Sequence, residues 1–122
     1  MGRLKVLALA AGLCAAMAPV AAAAANIAKG EAVYGERCSM CHPVDGPGQG
    51  PSLQGVVGRK AATAPDFPYT AALKASGLRW TPAALDSFLT NPMKRVPGTA
   101  MPMSVPDPGE RADLIAYLAT LR

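Results

Sequence analysis

The sequence predicts a small, single-domain, all-α fold, and three observations lead to that class. The chain has 122 residues, which is enough for one domain and too few for two. No segment alternates apolar and polar residues over the length of a strand, so a β-sheet is not expected. Several segments instead carry the residues that start and stop helices, and they predict three main helices and a short one.

The first two helices are bounded by the residues that follow them. The first is predicted over about residues 28–37 and leads into Cys38. The short one is predicted over about 69–75, because the Ser76-Gly77 pair follows it and glycine is the usual residue just past a helix end.

The last two helices open with the same signal, a capping residue followed by proline at the first helical position. Thr81 and Pro82 begin one of them, which ends before Asn91. Asp107 and Pro108 begin the other, which runs towards the C-terminus.

The first 25 residues have the features of a secretory signal peptide. Arg3 and Lys5 precede an apolar run, and the alanines at 23–25 allow A-x-A cleavage after any of the three. We therefore predict a cleaved signal over residues 1–25 and one domain over 26–122. The alternative is an uncleaved membrane anchor, since the apolar stretch is just long enough to cross a bilayer. Its high alanine content makes it only weakly hydrophobic, which favours cleavage.

The mature domain is short of residues that build a core. Removing 25 of the 122 residues leaves 97, with 2 Phe, 1 Trp and 3 Tyr among them. A domain of this size usually needs disulfides, a metal or another bound group. Cleavage removes Cys14, and Cys38 and Cys41 lie too close together to brace the domain. Two loops rich in proline and glycine, 43–68 and 91–106, are also unusually long for it. We therefore expect helices and loops to surround a cofactor.

The motif at residues 38–42, C-S-M-C-H, identifies that cofactor as haem. Two thiols one helical turn apart can each add to a vinyl group of the porphyrin, and the adjacent histidine can bind the iron. We predict one haem c per chain, attached through Cys38 and Cys41 and ligated by His42. An export signal agrees with this, because haem is attached to such motifs outside the cytoplasm.

Three other readings of the motif are weaker. A redox-active C-x-x-C of thioredoxin type would lie in a βαβ unit, and no strands are predicted. A structural zinc site needs four nitrogen or sulfur ligands, whereas the mature chain has two cysteines and one histidine. A plain disulfide would leave His42 without a role.

The residues alone leave several candidates for the second axial ligand. His42 is the only histidine, so a second histidine from this chain is excluded. Met, Lys, Tyr, water or an open position remain. Met93, Met101 and Met103 are the methionine candidates, because Met40 lies within the attachment motif and cannot reach the other face of the haem. Met101 and Met103 lie in a proline-containing loop far from His42 in sequence, which favours ligation by one of them.

Seven motifs follow one another along the mature chain: 38–42 CSMCH, 50–53 GPSL, 55–60 GVVGRK, 69–70 YT, 76–80 SGLRW, 96–101 VPGTAM and 111–118 RADLIAYL. In this order they resemble the class I c-type cytochromes, specifically the mitochondrial and bacterial cytochrome c group. The resemblance covers nearly the whole mature chain. It implies the cytochrome c fold, in which three main helices, a short one and long loops wrap a covalently bound haem.

The resemblance also implies roles for individual residues. Met101 matches the sixth ligand, and the Pro51 carbonyl matches the acceptor for the second ring nitrogen of His42. The positions that hydrogen-bond or neutralise the haem propionates are matched by Arg59, Tyr69 and Trp80. Thr99 matches a residue that supports the ligand loop.

A further implication of the resemblance is a close crossing between the first and last helices. Gly30 and Tyr34 match the crossing point on the first helix, and Leu114 and Tyr117 match it on the last. A glycine there allows the two backbones to approach closely.

The function implied is that of an electron carrier and not of an enzyme, because two filled axial positions leave no place for a substrate. The implied partners are redox proteins, met in small transient contacts: a membrane oxidoreductase complex, a terminal oxidase, a reaction centre or a dehydrogenase. We expect a periplasmic monomer with no stable membrane insertion after cleavage. Nucleic-acid binding is not expected, because no basic stripe is interleaved with aromatic residues.

Two alternative functions remain. A haem-based ligand-binding or peroxidase-like protein would need an open sixth position, and the chain has no distal histidine to act as acid or base. A dedicated electron-accepting subunit of a dehydrogenase would still relay electrons, but within a stable complex.

Overall fold

The computed structural model describes residues 23–46 and 48–122. In this part of the chain the helices are α1 (Ile27–Arg37), α2 (Ala71–Ala75), α3 (Pro82–Thr90), α4 (Pro92–Arg95) and α5 (Pro108–Leu118). The only β-pairing among the described residues is an isolated bridge between Lys60 and Arg79. The predicted all-α class is therefore confirmed. The predicted signal peptide lies almost entirely outside the described residues and stays a prediction.

Each helix begins at a side-chain cap. A side-chain oxygen of the residue before the helix accepts a hydrogen bond from a backbone N–H of the first turn, which would otherwise lack a partner. The caps, in chain order, are Asn26, Thr70, Thr81, Asn91 and Asp107. Both caps predicted from the capping-residue-plus-proline signal are present. The short helix α2 begins two residues later than predicted, because Thr70 caps it and Tyr69 stays outside.

The helix α4 is a correction to the predicted loop over 91–106. Asn91 and Pro92 carry the same cap-plus-proline signal as Thr81 and Pro82. Asn91 has an extended backbone, with φ near −161°, so it ends α3 and caps α4 at once. Pro92 therefore follows the end of α3 and also pre-forms the first turn of α4.

The helices α1 and α5 cross at close range, as the resemblance implied. A Cβ atom on Gly30 would overlap the backbone carbonyl of Asp113 and would lie 2.9 Å from the Cβ of Tyr117. The rings of Tyr34 and Tyr117 pack with their centroids 5.4 Å apart. Leu114 is fully buried beneath this contact. The crossing depends on the missing side chain at Gly30.

The core gathers side chains from α1, α3, α5 and both long loops: Val33, Tyr34, Val56, Ala61, Trp80, Leu85, Phe88, Leu89, Val96, Val105, Leu114, Ile115 and Leu118. Arg111 is buried beside it and links three segments. Its Nε donates to Asp86 Oδ1 of α3 at 2.8 Å, and its Nη1 donates to the carbonyls of Val105 at 3.0 Å and Pro106 at 2.7 Å. Arg111 thereby joins α5, α3 and the end of the second long loop. No helix in the described part of the chain is long and apolar enough to span a membrane.

Candidate functional site

A cavity of about 770 Å³ opens between the helices and the two long loops. This volume is typical of cofactor sites, which measure ~300–1,000 Å³. Apolar atoms supply most of its lining. Every predicted site residue contributes to that lining: Cys38, Cys41, His42, Pro51, Arg59, Tyr69, Trp80, Thr99 and Met101. Residues separated by more than 60 positions in sequence are thus brought to one site.

The attachment motif forms a tight turn directly after α1. The backbone N–H of Cys41 donates to the Cys38 carbonyl at 3.1 Å, and the N–H of His42 donates to the same carbonyl at 2.8 Å. Cys38 and Cys41 are half-buried, have free thiols and line the cavity, whereas Met40 between them is 90% exposed. The turn therefore places Cys38 and Cys41 at the cavity and leaves Met40 in solvent.

The thiol of Cys38 has the character of a neutral, buried group. Burial raises its pKa to about 11, although the neighbouring Arg37 partly opposes that rise. A redox-active C-x-x-C pair has a lowered thiol pKa, because the thiolate is the nucleophile. The raised pKa of Cys38 therefore argues against a thioredoxin-type site and is compatible with a thiol that becomes a thioether.

The imidazole of His42 is held by Pro51, which lies in the first half of the loop over 43–68. Its Nδ1 lies 2.7 Å from the carbonyl oxygen of Pro51. A carbonyl oxygen only accepts, so Nδ1 carries the ring proton and Nε2 keeps a lone pair for a metal. The hydroxyl of Tyr34 donates to the His42 carbonyl. Burial raises the pKa of Tyr34, which keeps that hydroxyl protonated.

Gly50 makes room for the imidazole and was not given a role from the sequence. A Cβ atom on Gly50 would lie 2.6 Å from His42 Nδ1 and 2.8 Å from Nε2, well inside ordinary van der Waals contact. The backbone N–H of Gly50 donates to the Cys41 carbonyl at 2.8 Å. The glycine next to Pro51 was the available signal. Its importance depends on the ring lying against it, which the sequence does not reveal.

The residues matched to the haem propionates all line the cavity. Arg59 donates to the carbonyls of Gln54 at 2.8 Å and Ser52 at 3.0 Å, which uses two of the five N–H donors of a guanidinium. The Tyr69 hydroxyl accepts from the N–H of Ala64 at 3.1 Å and keeps its own proton for another acceptor.

Trp80 is buried, and its ring packs on that of Phe88 with the centroids 4.9 Å apart. Trp80, Tyr69 and Arg59 therefore bring an indole N–H, a phenol and a guanidinium to the same cavity. Donors of these three kinds suit an acidic group of the cofactor.

The methionine candidates differ in burial. Met101 is half-buried, lines the cavity and packs against the hydrophobic core. Met103 also lines the cavity but is 44% exposed, and Met93 is 56% exposed and lies outside the lining. The backbone N–H of Met101 is 3.5 Å from Oγ1 of the buried Thr99, which is the weak end of hydrogen-bond range. Burial therefore favours Met101 over the other two.

Together these groups fit a haem. The cavity is large and apolar, two thiols stand on one turn, an imidazole presents a free ring nitrogen, and a thioether lines the same cavity. Soft sulfur and imidazole donors are the kinds of ligand that hold haem iron.

Comparison with known proteins decides the family. Residues 27–122 match the family model for cytochrome c. The chain belongs to the cytochrome c family. It is similar to cytochrome c2 of Rhodomicrobium vannielii, with 47% identity over 102 residues, which are 80% of this chain and 81% of the relative. It is also similar to cytochrome c of Sesamum indicum, with 42% identity over 97 residues, which are 76% of this chain and 87% of the relative.

A solved structure gives the same assignment. Cytochrome cH from Methylobacterium extorquens matches with a TM-score of 0.75 and 43% identity, over 78% of this chain and 98% of that chain. The resemblance to class I c-type cytochromes and the predicted cytochrome c fold are therefore confirmed. As a member of this family the chain is a monohaem electron carrier and not an enzyme. The family implies covalently bound haem c, and Cys38 and Cys41 are present in the attachment motif.

Proposed function

We propose that this chain is an exported carrier of single electrons whose haem is attached through Cys38 and Cys41 and ligated by His42 and Met101. The observation that carries the proposal is the 2.7 Å contact between His42 Nδ1 and the Pro51 carbonyl. It directs the ring proton to Nδ1 and leaves Nε2 free as an axial ligand. When bound, the haem supplies an iron that gains and loses one electron.

The protein contributes a rigid, dry enclosure to this chemistry. Leu85, Phe88 and Leu89 of α3 and Leu114 and Leu118 of α5 are buried and line the cavity. Apolar walls of this kind exclude water and lower the local dielectric, which is one of the levers that sets a haem potential. The two helices are joined by Arg111, so this wall is held in place from outside the cavity.

Met101 is proposed as the sixth ligand because it is the more buried of the two methionines that line the cavity. His42 would supply an imidazole and Met101 a thioether to the iron, and this ligand pair would raise the reduction potential relative to histidine alone. With both residues bound to the iron, this chain would leave no open position for a substrate or gas molecule. This arrangement supports electron transfer and disfavours the ligand-binding and peroxidase-like alternatives.

The cavity rim is proposed to hold the haem propionates. Arg59, Tyr69 and Trp80 bring N–H and O–H donors to the lining, and Thr99 sits two residues before Met101. Donors to a carboxylate make short, strong hydrogen bonds, and burying a charge without such partners is costly. The Arg59 guanidinium supplies a compensating positive charge.

Export is proposed from the predicted signal over residues 1–25, and the periplasm is the expected location. The mature chain would have a net charge of +2 after loss of Arg3 and Lys5, since the whole chain has +4. Its partners are proposed to be redox proteins that bind it in small, transient contacts. The chemistry of electron exchange defines these partners only as proteins that donate or accept one electron.

An optical experiment with a matched pair of variants tests the ligand assignment. Protein produced with a functioning haem-attachment system should show one covalent haem by pyridine haemochrome assay and by mass spectrometry. We expect Met101→Ala to lose the weak near-infrared sulfur-to-iron band and Met103→Ala to retain it. The reverse pattern would assign the ligand to Met103. Absence of added haem mass in the wild-type chain would overturn the proposed function itself.

A further inference from the structure

The backbone nitrogen of Asn26 makes a long-range contact that α1 does not need in order to form. It lies 2.6 Å from Oδ1 of Asp113, which is 87 positions away on α5. Two oxygen atoms of Asn26 are used within α1. Its Oδ1 accepts from the N–H of Lys29 at 3.0 Å, and its carbonyl accepts from the N–H of Gly30 at 3.0 Å. The nitrogen is thus held in a fixed position against a carboxylate.

We propose that cleavage after Ala25 turns this nitrogen into the α-ammonium group of the mature protein, and that this group forms an ion pair with Asp113. The inference rests on the export proposed above. In the cleavage step a water molecule is consumed, the Ala25–Asn26 peptide bond breaks, Ala25 leaves with a carboxylate and Asn26 gains the amine. At neutral pH that amine is protonated.

The position of the cut decides whether the pair forms. Ala23 and Ala25 satisfy the A-x-A pattern for a cut directly before Asn26. Residues 23–26 are exposed and irregular, so the peptide bond is accessible. A cut one or two residues earlier would leave the Asn26 nitrogen as a neutral amide. It would also move the ammonium along the chain by up to ~3.8 Å per residue, away from the carboxylate.

Asp113 also offsets an unfavourable effect at this site. The N-terminus of a helix has a partial positive charge, so an ammonium beside the first turn of α1 is repelled by it. A carboxylate at hydrogen-bond distance counters that repulsion, and hydrogen bonds between charged partners are about twice as strong as neutral ones. Gly30 packs against the backbone of Asp113. The crossing of α1 and α5 therefore also brings the Asp113 side chain close to the Asn26 nitrogen.

The other charged or titratable side chains near the pair belong to α1 and α5. The charged or titratable groups nearby on α1 are Lys29 and Glu31, which are exposed and opposite in sign. On α5, Tyr117 lies beside Gly30, while Glu110 pairs with Arg37 at 3.0 Å.

Arg111, on the same helix, is committed to Asp86 at 2.8 Å. Asp113 is therefore the group in direct contact with the Asn26 nitrogen among the described residues.

The ion pair has a consequence that depends on pH. An ordinary α-amine has a pKa of about 7.7–8.0, and an adjacent carboxylate raises it. A group whose pKa is raised on folding stabilises the folded state fully below its unfolded pKa, and that contribution is lost as the pH rises through its folded pKa. Each unit of difference corresponds to a tenfold change in the folding equilibrium constant.

The test compares three haem-loaded proteins between pH 6 and pH 9. They are the mature wild type, Asp113→Asn, and a form processed one residue earlier so that it begins with Ala25. We expect the folding equilibrium constant of the wild type to fall by several-fold more over this range than that of either variant. Groups that titrate equally in all three proteins cancel in the comparison. An extended form with the same pH profile as the wild type would overturn the proposal.

Two direct measurements keep the test decisive if Asp113→Asn is poorly folded. Mass spectrometry of the exported wild type should give a chain that begins at Asn26, and another first residue would overturn the proposal. The pH dependence of α-amine acylation should give a pKa above 8.0, and an ordinary value would also overturn it. A failed ion pair in a protein with a normal haem spectrum leaves the proposed electron-transfer function intact, whereas absence of haem contradicts that function and not the ion pair.

Discussion

Replacing Gly30 with alanine should force apart the close crossing of α1 and α5. The new Cβ would overlap the Asp113 carbonyl and lie 2.9 Å from the Cβ of Tyr117, where ordinary contact begins at 3.4 Å. Because the obstacle is helix backbone and not a flexible side chain, α1 and α5 must move apart. Overpacking of this kind costs about 1–3 kcal/mol. The movement also weakens the Asn26–Asp113 hydrogen bond, which is worth about 0.5–1.5 kcal/mol.

Gly35 provides a matched control on the same helix. A Cβ atom there would meet nothing within 4 Å, so alanine only improves the helix propensity. That gain is about 0.5–1 kcal/mol and applies to both substitutions. We therefore expect Gly35→Ala to stabilise the protein by about 0.5–1 kcal/mol. The overpacking and the weakened hydrogen bond outweigh that gain, so we expect Gly30→Ala to destabilise the protein by about 0.5–4 kcal/mol.

Chemical unfolding of the haem-loaded proteins, followed by far-ultraviolet circular dichroism, measures both changes. The slope of the transition should stay the same, so that a shift in its midpoint reports stability. If Gly30→Ala proves as stable as Gly35→Ala, the close crossing of α1 and α5 is not a determinant of this fold. The Tyr34 hydroxyl bond to His42 gives a second readout, because separation of the helices should also disturb the haem spectrum.

Three further substitutions test the supports of the site. Gly50→Ala should displace the His42 ring, destabilise the haem-loaded protein by about 1–3 kcal/mol and change its visible spectrum. An unchanged spectrum and stability would show that the ring tolerates the added methyl group. Arg111→Met should cost about 2–3 kcal/mol, because the buried carbonyl of Val105 and the part-buried carbonyl of Pro106 lose their donor. Asp86→Asn should cost under about 1 kcal/mol, because the Asp86 side chain is 49% exposed. Unfolding midpoints compare the pair, and equal losses would mean that the ion pair, and not the carbonyl contacts, is what matters.

The parts of the fold that could be predicted from the sequence depend on neighbours along the chain. Thr81 and Asp107 cap their helices through hydrogen bonds to N–H groups only three residues away. Cys38, Cys41 and His42 act within one turn of backbone. The missed helix α4 began from a signal that was visible, since Asn91 and Pro92 repeat the pair that opens α3. Asn91 ends α3 as it begins α4, so the pattern along the sequence predicts the end of one helix and hides the start of the next.

The remaining site residues were assigned through family resemblance, because their function depends on distant partners. Pro51 matters through its carbonyl, which any residue type carries, so its side chain does not reveal the contact with His42. Residue type alone also did not separate Met101 from Met103. Burial against the core distinguishes them in the structure.

Contacts between residues a few positions apart encode the all-α class, the starts of the helices capped by Thr81 and Asp107, and the chemistry of the attachment motif. The tertiary structure alone decided the space for the His42 ring beside Gly50, the junction made by Arg111, and the contact of the Asn26 nitrogen with Asp113. Each of these depends on which surfaces meet when the chain packs. Neighbouring residues in the sequence do not indicate these roles, because the partner of each group lies in another segment of the chain.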